Sequence, residues 1–412
     1  MTAALLAANT AGYTMPPLWR ILTKSGYFLG LCAAIGATVT YATTVRPALR
    51  ARTDGVDRAA ADVAVLRQRS ARYLAWSGVV LLVTGYLQLA ARLARAGKGM
   101  PFADALAPDR IWHFLRAPAA PGAWLPQGTV YLVQNAVLAL TAATLTALFA
   151  PAARRHLDTL ARTALPLALA TTLIAAVPAT RPKNADSVTD LVLDQVHIVS
   201  GTVWLGGLAL LAALAGTRGR LGAGAGLLWA ELWRRFSLVA MVCVGAVVLS
   251  GLWLSWRHVG AVDQLWTTGY GVVLLVKLLL VLGLVAAGAV NQFWLMPRIV
   301  RARRADDTSS LLHLTLRHFP RVVWGEVALG VGVLAVLPLL AGSARSEAHS
   351  PQAASSAAVF SAGAALALAL AVSLYATAKA SDALAGPATA DAATAPVPLP
   401  APAAEHPSRS KA

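Results

Sequence analysis

The sequence predicts an all-α protein, a bundle of about nine helices crossing a membrane with the N-terminus outside and the C-terminus inside. Three observations carry that reading. Of 412 residues, 57% are hydrophobic and only 13% are charged, whereas soluble domains hold about 25% charged residues. Apolar runs of about 20 residues, the length that spans hydrocarbon, recur near 27–45, 73–91, 128–150, 163–180, 191–215, 236–257, 269–295, 322–343 and 357–380. Lysine and arginine number 20 in one set of alternating loops and 11 in the other, and the richer set is expected in the cytoplasm.

The net charge of +17 follows from those loops. The basic residues are scattered over many short segments rather than gathered in one domain, which argues against a nucleic-acid partner. The lipid bilayer is the expected partner. The first run begins near Tyr27, too late and too long for a signal peptide. The fourth is short and holds Pro166 and Pro178. Between the second and third runs, residues 92–127 carry Asp109-Arg-Ile-Trp-His113-Phe-Leu-Arg116, a segment expected along the interface. The ninth run is Ala-rich, and 381–412 is an Ala/Pro-rich tail expected to be disordered. The resulting division is a four-span region over 1–180, a second four-span region over 181–343, an extra span over 344–380, and the tail.

Chemistry concentrates in the later spans. Asp194 and His197 lie three residues apart in the fifth run, hence on one helical face, and Gly201 and Trp204 continue that stripe. Ionisable groups in a spanning helix are costly and mark candidate sites. Tyr270, Lys277 and Asn291 fall at multiples of seven on the seventh run, again one face. With the N-terminus outside, the outer halves of spans five, six and seven bring Asp194, His197, His258, Tyr270 and Lys277 to one cavity. Glu326 begins the eighth run from the inner side.

Each of these residues also has a plainer reading. His258 and His113 near helix ends suit interfacial hydrogen bonding. Lys277 suits snorkelling or an architectural pair with Asp194. Glu326 suits the positive end of a helix dipole, Gly206-Gly207 suits close helix packing, and Trp204 suits the aromatic belt.

Imidazole and carboxylate together favour copper(II), zinc or nickel. The two cysteines, Cys32 and Cys243, sit in separate apolar runs, and the five methionines form no cluster. No phosphate-binding loop of the G-x-x-x-x-G-K-[ST] type occurs, so transport is expected to run on a gradient or as facilitated passage.

Four stretches together resemble the CopD copper-resistance and copper-transport family. They are Leu193-Asp194-Gln-Val-His197 running into Trp204-Leu-Gly206-Gly207; Arg235-Phe236-Ser237 leading to Ser250-Gly251; Thr268-Gly-Tyr270-Gly271 through Lys277 to Asn291 and Pro297-Arg298; and Arg321-Val-Val-Trp-Gly-Glu326. The resemblance implies a multi-pass protein of the cytoplasmic membrane that moves copper inward, with no organic cofactor and no enzymatic step. It also implies a separate CopC-like external copper-binding protein as partner. Asp194, His197, His258 and His113 are then the expected copper ligands, with Trp204, Tyr270, Lys277 and Glu326 along the path. Two rival readings remain at this point. One is a scaffold that delivers copper without transporting it, and the other is a haem- or quinone-binding membrane protein.

Overall fold

A computed structural model describes residues 15–51, 57–97, 99–222, 225–290, 319–351 and 353–385. Among them the chain is helical throughout, and nine helices are long and apolar enough to span a membrane. In chain order they are α1 (Leu18–Arg50), α2 (Asp57–Ala96), α3 (Gln127–Thr146), α4 (Leu157–Ala175), α5 (Ala185–Ala215), α6 (Ala225–His258), α7 (Gly269–Val290), α8 (Phe319–Val336) and α9 (Ala357–Ala385). Lipid leaves no water to satisfy backbone groups, so helices are the form these apolar runs must take. Several helices extend beyond the apolar runs. α1 starts after Pro17, nine residues before Tyr27, and so draws Arg20 and Lys24 into the helix. α9 runs on to Ala385, so the first residues of the expected tail are helical; residues 386–412, Asn291 and Pro297-Arg298 lie outside the described residues.

α5 is the hub, packed against α1, α2, α4, α6 and α8. Apolar burial does not draw helices together in lipid, so close backbone approach through small residues carries the association. Gly206 and Gly207 provide it. A Cβ on Gly206 would lie 1.8 Å from the Cys32 carbonyl oxygen, and one on Gly36 would lie 2.5 Å from Gly206 Cα. A Cβ on Gly207 would meet the Phe236 ring at 2.4 Å and Thr40 Oγ1 at 2.5 Å. The glycine pair thus seats α5 on α1 and α6 at once. On α1 this crossing falls at a π-helical turn, Cys32–Gly36, and a second follows at Tyr41–Val45.

Successive crossings place the N-terminal ends of α1, α5 and α7 on one face of the bundle, with the C-terminal ends of α6 and α8. The Ser25 hydroxyl donates to the Leu334 carbonyl at 3.0 Å, joining α1 to α8 near that face. On the opposite face Asp158, at the start of α4, gathers Tyr41 (2.6 Å), Arg50 (3.1 Å), Arg46 (3.3 Å) and Arg67 (3.7 Å). That cluster pins α1, α2 and α4 together. Between α2 and α3 the helix Pro108–Leu115 buries Ile111 and Leu115 against α2 and α3 and exposes Trp112 and His113. α9 stands at the periphery beside α6, where Trp253 stacks on Phe360 at 5.7 Å.

Candidate functional site

The site is built from the first three turns of α5. Asn184 and Ser187 form a reciprocal cap that starts the helix, with the Asn184 side chain accepting from the Ser187 N–H at 3.0 Å. Asp186, Asp190 and Asp194 then follow at four-residue steps, so three carboxylates line one face.

The first two carboxylates are satisfied by protein. Asp190 accepts from Trp253 Nε1 at 2.8 Å and from Arg257 at 2.8 and 3.1 Å. Asp186 accepts from the Ser355 N–H and hydroxyl, and lies 3.7 Å from the Arg257 guanidinium. Arg257 also donates to the Ala353 carbonyl. Trp253 and Arg257 thereby clamp α6 onto α5. Asp194 differs: its carboxylate makes no hydrogen bond or ion pair among the described residues, and it lies open. Lys24 of α1, Lys277 of α7 and His258 of α6 are all close enough to act on its charge.

Asp194 and His258 line a cavity of about 960 Å³ between the ends of α5, α6 and α8. The His258 Nδ1 lies 2.8 Å from the Leu254 carbonyl oxygen. A carbonyl only accepts, so this nitrogen is the donor, and in the neutral ring Nε2 carries the lone pair. The ring stacks on Tyr270 at 5.7 Å with 10° between planes. Tyr270 in turn donates its backbone N–H to the Glu347 carboxylate at 3.2 Å. A histidine whose second nitrogen bonds a backbone carbonyl and whose plane is fixed is arranged as metal-ligating histidines are.

His197, one turn below Asp194, follows the same logic. The buried Ser250 hydroxyl gives its proton to the Ala246 carbonyl at 2.6 Å. Ser250 Oγ must therefore accept from His197 Nδ1, 3.0 Å away, and Nε2 again keeps its lone pair. Gly251 faces the ring, where a Cβ would make ordinary contact with His197 Cε1 at 3.4 Å. Lys277 acts on His197 as well as on Asp194.

Of the five residues expected at one cavity, Asp194 and His258 line it; Tyr270 stacks behind His258, and His197 and Lys277 lie outside the lining. His113 is elsewhere, exposed on the helix Pro108–Leu115 against α2 and α3. Trp204 is a core residue, 6% exposed, and not part of an aromatic belt. Glu326 is buried at 2% exposure, seven residues into α8, too deep to cap that helix. Among the described residues no three His, Cys, Asp or Glu side chains stand in a metal-holding group. Cys32 and Cys243 are free and buried, away from the cavity lining.

Sequence reading missed Asp190, Arg257 and Lys24. The i, i+4, i+8 carboxylates were a readable signal for the first. Lys24 was hidden by placing the start of α1 too late.

Residues 230–340, covering most of α6 together with α7 and α8, match the family described as Copper resistance protein D. His258, Tyr270, Lys277 and Glu326 fall within that match; Asp194, His197, Trp204 and His113 precede it. The chain is also 31% identical over 144 residues to the copper transport protein CutJ of Bacillus subtilis (strain 168). That similarity covers 35% of this chain and 23% of the relative's length. No solved structure matches the chain.

Proposed function

We propose that this chain, a CopD-family protein through residues 230–340, carries copper inward across the cytoplasmic membrane without catalysis. The observation that supports this most is the open Asp194 carboxylate beside two histidines whose Nδ1 atoms are engaged by protein, leaving Nε2 of each free of a protein partner to bind a metal in the neutral ring. Copper reaching the cavity meets His258 and Asp194 first. His197 receives it one turn deeper on α5. Lys24 and Lys277 offset the site's negative charge while it is empty and are repelled when the cation arrives, which favours onward release. Glu326, buried near the other end of α8, serves the inner part of the path. The cavity face carries the loops poorer in lysine and arginine, which supports an outward-facing cavity. An external copper-binding protein of the CopC kind would deliver to it.

The test is cellular copper accumulation at matched membrane levels of wild type, His258→Ala and Asp194→Asn. Import predicts a rise with wild type that both variants abolish. A fall with wild type means efflux. No change from vector-only cells sinks transport and leaves copper delivery to a partner as the reading.

A further inference from the structure

The cavity is lined by more positive than negative charge, an unexpected feature for a vestibule that receives a metal cation. Arg181 and Lys183, before α5, and Arg345, after α8, line it. Among the described residues none of the three is paired with a carboxylate. Arg181 lies over the Trp124 ring at 5.5 Å. Arg345 donates only to the carbonyls of Pro351 (2.8 Å) and Trp256 (3.1 Å), and its Nε is buried with no acceptor. The two terminal nitrogens each keep a second N–H beyond those carbonyls, and an anionic oxygen in the cavity would take them. Of the two lining carboxylates, Asp190 is already neutralised by Arg257. Asp194 alone remains, and Lys24 and Lys277 offset it.

A hydrated copper(II) ion approaching this lining meets net repulsion. A complex of copper with an anionic small chelator meets attraction, since guanidinium and ammonium groups bind carboxylate and phosphate oxygens well. The volume of about 960 Å³ suits such a complex, because small-molecule sites span about 300–1,000 Å³.

We propose that the vestibule between α5, α6 and α8 takes up copper as a negatively charged small-molecule chelate, with Arg181, Lys183 and Arg345 holding the chelator's anionic oxygens. Delivery is then ligand exchange. Bonds from copper to the chelator break as bonds to His258 Nε2 and the Asp194 carboxylate form, no electron changes hands, and the free chelator leaves to the outside. This assignment rests on the copper-transport reading above and specifies the form in which the metal arrives.

The test uses the full-length protein in liposomes, with copper(II) supplied at matched free-ion activity in three forms. These are the singly negative nitrilotriacetate complex, the neutral bis-glycinate complex and the doubly positive ethylenediamine complex. Uptake from the negative complex should exceed that from the positive one by roughly 10-fold at low salt, the lower end of electrostatic steering. The ratio should collapse toward unity in Arg181→Gln/Lys183→Gln/Arg345→Gln and shrink as salt rises. Equal uptake from all three forms, or a ratio that the triple variant leaves unchanged, overturns the proposal while leaving copper transport standing. If copper enters from none of them, transport itself fails. Retention of the nitrilotriacetate complex by the purified protein, read by electron paramagnetic resonance, then decides: retention lost in the triple variant keeps the anion site, and no retention removes it. Competition by an acidic peptide but not by free nitrilotriacetate would assign the lining to a protein partner and refute the chelate.

Discussion

Replacing Gly206 with alanine tests the architecture most directly, because its cost can be worked from one distance. The added Cβ falls 1.8 Å from the Cys32 carbonyl oxygen, where ordinary contact begins at 3.4 Å, a shortfall of about 1.6 Å. The obstacle is backbone on both sides, with the Cys32 carbonyl carbon at 2.6 Å and Gly36 Cα at 2.9 Å, so no side-chain rotation relieves it. α1 and α5 must part along their crossing and forfeit the dispersion contacts that hold helices together in lipid. Overpacking of this kind costs typically 1–3 kcal/mol, and a backbone–backbone clash belongs at about 3 kcal/mol. Against it runs the helix-propensity gain of Gly→Ala, up to about 1 kcal/mol, for a net loss of about 2 kcal/mol. The assay is thermal unfolding in detergent followed by tryptophan emission, with Gly201→Ala as control. Nothing lies within 4 Å of a Cβ at Gly201, so that variant should match or exceed wild type. If Gly206→Ala were as stable as Gly201→Ala, α5 would not sit on α1 as described.

Three further outcomes follow from the polar contacts. Arg257→Gln and Asp190→Asn should each destabilise by about 1–2 kcal/mol, and the double variant by clearly less than their sum, since both single changes break the same partly buried pair; additive losses in a double-mutant cycle would show the clamp carries nothing. Asp158→Asn leaves Arg46, Arg50 and Arg67 facing one another and should cost about 2–3 kcal/mol, whereas Tyr41→Phe should cost about 1 kcal/mol; chemical unfolding in mixed micelles compares them, and equal losses would refute the electrostatic account. Ser250→Ala removes the acceptor that orients His197 and should weaken copper uptake by roughly 10-fold, as loss of an outer hydrogen bond to a metal-ligating histidine does; an unchanged uptake assay would confine His197 to structure.

The nine crossings were legible because the rule behind them is local. Lipid demands an internally bonded helix wherever about 20 apolar residues run together, and composition alone locates such runs. Gly206-Gly207 was legible for a related reason, since a pair of Cβ-less residues inside a span has few uses other than close approach. Helix ends were harder to place, because a hydropathy window sees where apolar residues begin and not where hydrogen bonding begins. α1 starts at Leu18 and α5 at Ala185, each several residues before its apolar run, and those extra turns hold Lys24, Asp186 and Asp190. The same shift moved Glu326 from a helix start to two turns inside α8.

Charge bookkeeping along the chain explains what was read and what was not at the site. Asp194 and His197 stood out as ionisable groups one turn apart inside a spanning run, and the structure leaves Asp194 without a hydrogen-bonded partner among the described residues. Asp190 and Arg257 are 67 residues apart, so nothing in the sequence could mark them as each other's counter-charge. That pairing is complete: with Asp186 and Asp190 occupied by Arg257, Trp253 and Ser355, the acid face of α5 presents one open carboxylate instead of three. A stripe of three open carboxylates would hold any divalent cation at the membrane surface. One carboxylate, with an imidazole on α6 and another one turn deeper, favours the metals that bind nitrogen strongly, and copper(II) heads that order.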